Sequence, residues 1–448
     1  MVIWKQRSSL VATAVLVAVL SVPGAVPGHA QGTTTSEPQA SVGAPANPFD
    51  PGAIFRTRIN GEARPFPEIS ATNAILIDGN AMATLGEKNG QQEARMASTT
   101  KVMTILLGIE ARDQGLVGPT VTISPNAVAA AASSDSATLK LQAGQQVAFD
   151  DLLAATLMAS GNDGAVAIAE HVAGSEAAFV QRMNERAAQL GLTQTRYLNA
   201  SGFTDDPGHH TSPLDLAVLG MVAMSHPDFA RWAQAQTLDL ETLGSVSNRN
   251  ELLGSYLGVT GIKTGFTNAA GQCLVASAER DGRVLYAVVL GSKDRVADMT
   301  KLFDYGFNDF SRRPATEAGE PVGTFTWTRG DVEAIARKEL AVTVPAGTTL
   351  MRQIVWNSNI SLPVTAGTEL GTANLILDGQ ILDSAPVVAQ SPVEPTQGDG
   401  PGAIIGDALL GYARVAQSTQ SVDVAALTAA AIKPTQDETV QAQPAQKE

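Results

Sequence analysis

Arg95-Met96-Ala97-Ser98-Thr99-Thr100-Lys101-Val102-Met103-Thr104 places a Ser-x-x-Lys tetrad at the head of an apolar run. The run predicts a helix over Lys101 to Glu110, and if Ser98 begins it, the Ser98 hydroxyl and the Lys101 amine stand one turn apart on one face. A serine hydroxyl is a poor nucleophile until a base takes its proton. Lys101 is that base if burial and a second cation disfavour its charged form. For an isolated tetrad the plainer reading is the commoner: an N-cap serine followed by a solvated helical lysine.

Two further strings follow in order and change that balance: Ser160-Gly161-Asn162 and Lys263-Thr264-Gly265. The first falls between an apolar helix over Phe149 to Met158 and a helix expected from about Gly164 to Val172, so it occupies a tight polar loop. There Ser160 relays a proton to a leaving amine and Asn162 holds Lys101 and a substrate amide; by itself the string is an ordinary helix-linking turn capped by Asn162 or Asp163. The second is read as the start of a strand. Its glycine leaves room for a peptide alongside, and Lys263 and Thr264 grip a terminal carboxylate; alone it is a surface strand end with a solvated lysine. The conjunction of three strings points to an acyl-serine enzyme.

Outward from these strings the periodicities predict an α+β unit. Ala74 to Ile77 and Ala81 to Leu85 flank Asp78-Gly79-Asn80 as a hairpin, and Leu274 to Ser277 and Val284 to Leu290 flank Asp281-Gly282 as a second. Helical patterns run over Glu176 to Leu190 and Arg295 to Tyr305. Strands, then helices, then strands imply helices against an antiparallel sheet. After Arg313 short alternating runs broken by Pro345-Ala346-Gly347, Ala366-Gly367-Thr368 and Asp378-Gly379 predict a small all-β sandwich domain.

The expected organisation is an export signal over 1–30, a Thr/Ser/Pro-rich flexible linker over 31–52, a catalytic domain over 53–313, the β domain over 314–390 and a low-complexity tail over 391–448. The signal rests on Lys5 and Arg7 before an apolar Leu10 to Leu20, with cleavage after Ala30. The 448 residues carry 30 basic and 44 acidic side chains, net −14, with no basic face to follow a phosphate backbone, so nucleic acid is excluded as a partner. Cys273 is the single cysteine and reads as a buried strand thiol, with a catalytic cysteine as the less common alternative. His209 and His210 are placed on a loop rim, and no His, Cys and carboxylate cluster has metal-ligand spacing, so neither metal nor cofactor is expected.

These residues together resemble the low-molecular-mass penicillin-binding proteins, in particular the serine-type D-alanyl-D-alanine carboxypeptidases. The resemblance spans about Pro65 to Ala389 and also includes Met183-Asn184 and Leu274-Val275-Ala276-Ser277-Ala278. It implies a penicillin-binding, β-lactamase-like transpeptidase fold and removal of the last D-alanine from a peptidoglycan pentapeptide through an acyl-serine. It further implies acylation by β-lactam antibiotics, an oxyanion hole from the amides of Ser98 and Phe266, and a carboxylate pocket of Lys263, Thr264 and Gly265 with Arg249 and Arg295. For either arginine a surface salt bridge is the competing role.

Where many relatives carry Asn-Pro-His-Gly this chain has Asn199-Ala200-Ser201-Gly202, so that histidine's role is missing. A terminal cationic amphipathic helix is also weak here: 403–416 has Arg414 as its one basic residue, implying little or no membrane contact. A β-lactamase is disfavoured because no Glu-x-x-x-Asn string lies between the second and third motifs. A murein endopeptidase of the same family would carry the same three motifs. A non-catalytic wall-binding module is opposed by the intact Ser98 and Lys101.

Overall fold

A computed structural model describes residues 65–393 except 134–135, 328–329, 346–347, 358–359, 361–362 and 378, together with 418–423. The expected signal, linker and 403–416 segment lie outside the described residues.

Both predicted hairpins join a single five-stranded antiparallel sheet. The first is β1 (Asn73–Asp78) with β2 (Ala83–Lys88). Two antiparallel pairs elsewhere, β3 (Thr120–Thr122) with β4 (Gln146–Ala148) and β5 (Thr237–Leu240) with β6 (Gly244–Ser247), are too short to show a period. The large sheet is completed by β7 (Val259–Thr267), β8 (Gly271–Arg280) and β9 (Arg283–Ser292), in the order β2-β1-β9-β8-β7. Every residue of β1 is buried because both sheet faces are covered. Ile75 and Ile77 face the larger cluster of helices, while Ala74 and Leu76 face the layer built on Met299, Leu302 and Phe303.

The helices are α1 (Lys101–Asp113), α2 (Pro125–Ala129), α3 (Phe149–Ala159), α4 (Asn162–Ala173), α5 (Glu176–Gln189), α6 (Pro213–Met224), α7 (Pro227–Gln234) and α8 (Arg295–Asp309). Helix α6 has no place among the helices expected from periodicity, for a physical reason. All but its last residue are buried, so it carries no polar face and no helical period. Its start is nevertheless signalled, since the Ser212 hydroxyl accepts from the Asp215 amide and Pro213 occupies the first turn.

Helix α8 leads directly into the all-β part. There β10 (Phe310–Thr316) pairs with β13 (Leu340–Pro345), and a six-stranded sheet is built from β11 (Pro321–Trp327), β12 (Gly330–Ala336), β14 (Thr349–Trp356), β15 (Glu369–Leu377), β16 (Gln380–Ala389) and β17 (Ser418–Asp423). Strand β17 belongs to the stretch read as low-complexity tail, yet it pairs antiparallel with β14. Alternating residues such as Leu340, Val342, Val344, Leu350 and Ile354 form a separate apolar core. A buried polar knot joins this part to the large sheet: Asp78 Oδ2 accepts from Arg283 Nε at 2.7 Å and from Thr343 Oγ1 at 2.8 Å.

Candidate active site

Ser98 does not begin the α-helix. It lies inside a 3₁₀ turn, Ala97–Thr100, that runs straight into α1. The threonines account for the tighter winding, because Thr99 Oγ1 donates to the Met96 carbonyl at 2.6 Å and Thr100 Oγ1 to the Ala97 carbonyl at 2.7 Å. Ala97 enters the turn at φ +47°, a region seldom used by residues with a side chain. Ser98 stays half-buried while Lys101 is buried completely.

Lys101 Nζ has three oxygen neighbours: Ser98 Oγ at 3.0 Å, Asn162 Oδ1 at 2.7 Å and the Ser201 carbonyl at 2.7 Å. Two of these can only accept. A neutral amine therefore gives its two hydrogens to Asn162 and Ser201 and turns its lone pair to the Ser98 hydroxyl. Burial first, then the nearby charge of Lys263 and that of Arg249, push the Lys101 pKa well below 10.5, and Asp163 opposes them. The cause anticipated from the sequence is the one found, and the solvated-lysine alternative is excluded.

The second string sits between two helices, with one correction: α4 begins at Asn162, not near Gly164, and Gly161 occupies the N-cap position. Ser160 closes α3 in a left-handed conformation, φ +66°, and is buried. Asn162 is fixed at both ends of its amide, since Nδ2 donates to Ser136 Oγ at 2.7 Å. Next to it the buried Asp163 carboxylate accepts from Thr138 Oγ1 at 2.7 Å and from the amides of Leu139 and Leu141. It thereby anchors the loop that brings Ser136 to Asn162.

The third string is also displaced from expectation. Lys263-Thr264-Gly265 occupies the middle of β7, the edge strand of the large sheet, not its start. Lys263 is 2% exposed, and burial followed by the charges of Arg249 and Arg295 lowers its pKa to about 7. The reason for Gly265 is corrected as well. A Cβ there would lie 3.1 Å from the Ser98 amide nitrogen and 3.1 Å from the Met96 carbonyl oxygen, so the glycine admits the turn that carries Ser98. Phe266 follows it with 57% exposure.

Arg295 donates to the Gly265 carbonyl at 3.4 Å and is held by Glu251 through Nε to Oε2 at 3.2 Å and a second, shorter contact. Arg249 is exposed, its amide bonded to the Met158 carbonyl at 3.1 Å. Both arginines contribute to the lowered pKa of Lys263, and Arg249 and Lys263 to that of Lys101, which places these four cations in one region; the Ser160 hydroxyl joins it through its position two residues before Asn162. Sequence reasoning missed Ser136, Asp163, Ser201 and Glu251. Only Asp163, adjacent to Asn162, had a local signal.

His209 is not on the rim. It is 2% exposed, with Nε2 2.7 Å from Thr100 Oγ1 and Nδ1 accepting from the Leu198 amide at 3.0 Å. Cys273 is buried on β8, and burial raises its thiol pKa to about 11, as a structural cysteine requires.

The family model described as D-alanyl-D-alanine carboxypeptidase matches residues 60–294, and the penicillin-binding protein 5 C-terminal domain matches 310–395. The D-alanyl-D-alanine carboxypeptidase DacF of Bacillus subtilis is 31% identical over 72% of this chain and 86% of its own length. DacC of Escherichia coli is 32% identical over 73% and 85%. Among solved structures, penicillin-binding protein 5 from Haemophilus influenzae superposes with a TM-score of 0.60 at 30% identity, covering 73% of this chain and 99% of that one. Penicillin-binding protein D2 from Listeria monocytogenes, solved in a cefotaxime-bound form, gives 0.50 at 28% identity over 55% and 100%.

Proposed function

Because the chain belongs to the D-alanyl-D-alanine carboxypeptidase family, we propose that Ser98 is the acylated nucleophile and Lys101 its general base. The chain is a serine hydrolase of cell-wall peptides. The single observation that carries the assignment is the Lys101 amine, desolvated and held by two obligate acceptors so that its lone pair meets the Ser98 hydroxyl 3.0 Å away.

Ser98 Oγ attacks the carbonyl carbon of the penultimate D-alanine and its proton passes to Lys101. Charge collects on the carbonyl oxygen, opposite the amides of Ser98 and Phe266. The C–N bond then breaks, and the proton reaches the departing amine from Lys101, with Ser160 as the relay. Water attacks the resulting ester and Ser98 recovers its proton. Asn162 positions Lys101 throughout. Lys263 and Thr264, with Arg249 and Arg295 adding positive charge, bind the terminal carboxylate of a peptide lying along the edge of β7, while Gly265 leaves room for the Ser98 turn against that strand.

A β-lactam carries a carboxylate and a strained amide in the same relation, so it acylates Ser98 as an inhibitor. The proposed place of work is outside the cytoplasmic membrane, where wall peptides lie, reached through the signal at 1–30. Among the described residues no helix is long and apolar enough to cross a membrane. Release of D-alanine from a peptide ending in D-Ala-D-Ala, abolished in Ser98→Ala, supports the proposal; release that survives in Ser98→Ala removes Ser98 from the role.

A further inference from the structure

Ala97 O and Ser98 N belong to one peptide plane, and in a trans peptide the carbonyl and the N–H point in opposite directions. Whatever holds the Ala97 carbonyl therefore aims the Ser98 amide. Three neighbours act on that carbonyl side. Thr100 Oγ1 donates to Ala97 O at 2.7 Å. Gly202 packs against it so closely that a Cβ there would lie 1.9 Å from the same oxygen. Behind Thr100 stands His209, buried at 2% exposure with Nε2 2.7 Å from Thr100 Oγ1.

The direction of every hydrogen bond in this group is forced. The Leu198 amide can only donate, so His209 Nδ1 is the unprotonated acceptor. A neutral ring then carries its hydrogen on Nε2 and donates it to Thr100 Oγ1. That in turn leaves the Thr100 hydroxyl hydrogen for Ala97 O. Leu198 also leads into the Asn199–Gly202 loop, whose Ser201 carbonyl holds Lys101 and whose Ala200 carbonyl accepts from Thr104. One imidazole thus ties together the turn that bears the nucleophile and the loop that orients its base.

We propose that His209 is a positioning residue: through Thr100 it holds the Ala97–Ser98 peptide plane so that the Ser98 amide faces the oxyanion of the acylation step. Burial supports the neutral ring. It lowers the imidazole pKa to about 4, His210 and Lys101 acting in the same direction and Asp206 against them. A protonated ring would place an N–H against the Leu198 N–H and break the chain at its first link.

The proposal rests on Ser98 as nucleophile, and the test separates the two. Stopped-flow acylation of the full chain by a fluorescent penicillin reports the ground-state dissociation constant and the acylation rate constant independently. Acylation of the parent but not of Ser98→Ala establishes the nucleophile; no acylation of the parent removes both assignments. His209→Phe and Thr100→Val should then lower the acylation rate constant by about tenfold or more at an unchanged dissociation constant. His209→Gln keeps an acceptor and a donor at similar spacing and should return the rate to within about threefold of the parent, a rescue that a merely space-filling role would not produce. Parent-like acylation in His209→Phe overturns the proposal, as does a loss in His209→Gln that follows its melting temperature. If His209→Phe does not fold, Thr100→Val decides, and parent-like acylation there overturns the proposal.

Discussion

Gly265 and Ser98 meet without room for a methyl group: a Cβ on Gly265 would stand 3.1 Å from the Ser98 amide nitrogen. The third motif and Ser98 are therefore two sides of one contact, although they lie 167 positions apart in the chain. Gly265→Ala should push the Ala97–Thr100 turn away from β7 by a few tenths of an ångström. The expected outcome is an acylation rate lower by about tenfold or more with retained secondary structure. Stopped-flow acylation with circular dichroism checks it, and an unchanged rate would show that the turn yields freely.

Replacing Lys101 by arginine puts a permanent positive charge at the Ser98 hydroxyl and removes the neutral amine. Acylation should fall by about a thousandfold or more. In the parent, activity should decline as pH falls through the lowered pKa of Lys101, since protonation of the amine removes the base. A parent rate that rises on acidification would contradict this assignment.

Lys263, proposed above to bind the substrate carboxylate, is tolerated by the fold at a cost. Folded, it loses its proton near pH 7, against 10.5 for an ordinary lysine. Between those values the unfolded chain binds the additional proton, so this group makes stability rise with pH across the window, and its full cost is present below about 7. Lys263→Met should raise the melting temperature at pH 7, with the gain shrinking toward pH 10, and raise KM for a peptide with a free C-terminal carboxylate. For the parent, KM should climb above about pH 7 as Lys263 loses its charge. A peptide amide would lack that dependence. Thermal unfolding and steady-state kinetics at several pH values measure both, and a lower melting temperature for Lys263→Met at pH 7 would refute the stability half.

Asp78 is fully buried and serves two donors from different parts of the chain, Arg283 and Thr343. Asp78→Ala leaves the Arg283 guanidinium buried without its carboxylate and should cost about 3–5 kcal/mol. Urea unfolding gives the value directly. A loss under about 1 kcal/mol would mean that water replaces the carboxylate.

Cys273 should be chemically silent. Its buried thiol, with a pKa of about 11, should react with a disulfide reagent only after denaturation, and Cys273→Ala should keep its acylation rate. Native labelling accompanied by loss of acylation would restore the catalytic-cysteine alternative.

Helices α5 and α8 bury one face, and a buried face leaves a period that the sequence shows. Strands β1, β8 and β9 are covered on both faces and were legible instead as apolar runs bounded by turn residues. Helix α6 showed no period, since burial on every side erases the contrast between faces. His209 was misplaced for a related reason: in a string of turn residues such as Asp206-Pro207-Gly208-His209-His210 nothing local distinguishes a side chain that folds inward from one that stays out.

By itself the sequence determined the candidate reacting groups, their order along the chain and the family to which the chain belongs, because a Ser-x-x-Lys pair and its two companions are local strings. Tertiary structure decided what those groups are chemically. Lys101 and Lys263 are ordinary amines by composition. Their depressed pKa values, on which the proposed base and carboxylate site rest, arise only when β7, α1 and α4 bring them together and exclude water. Desolvation and Coulomb interaction depend on distances between residues far apart in the chain, and no local pattern records those distances.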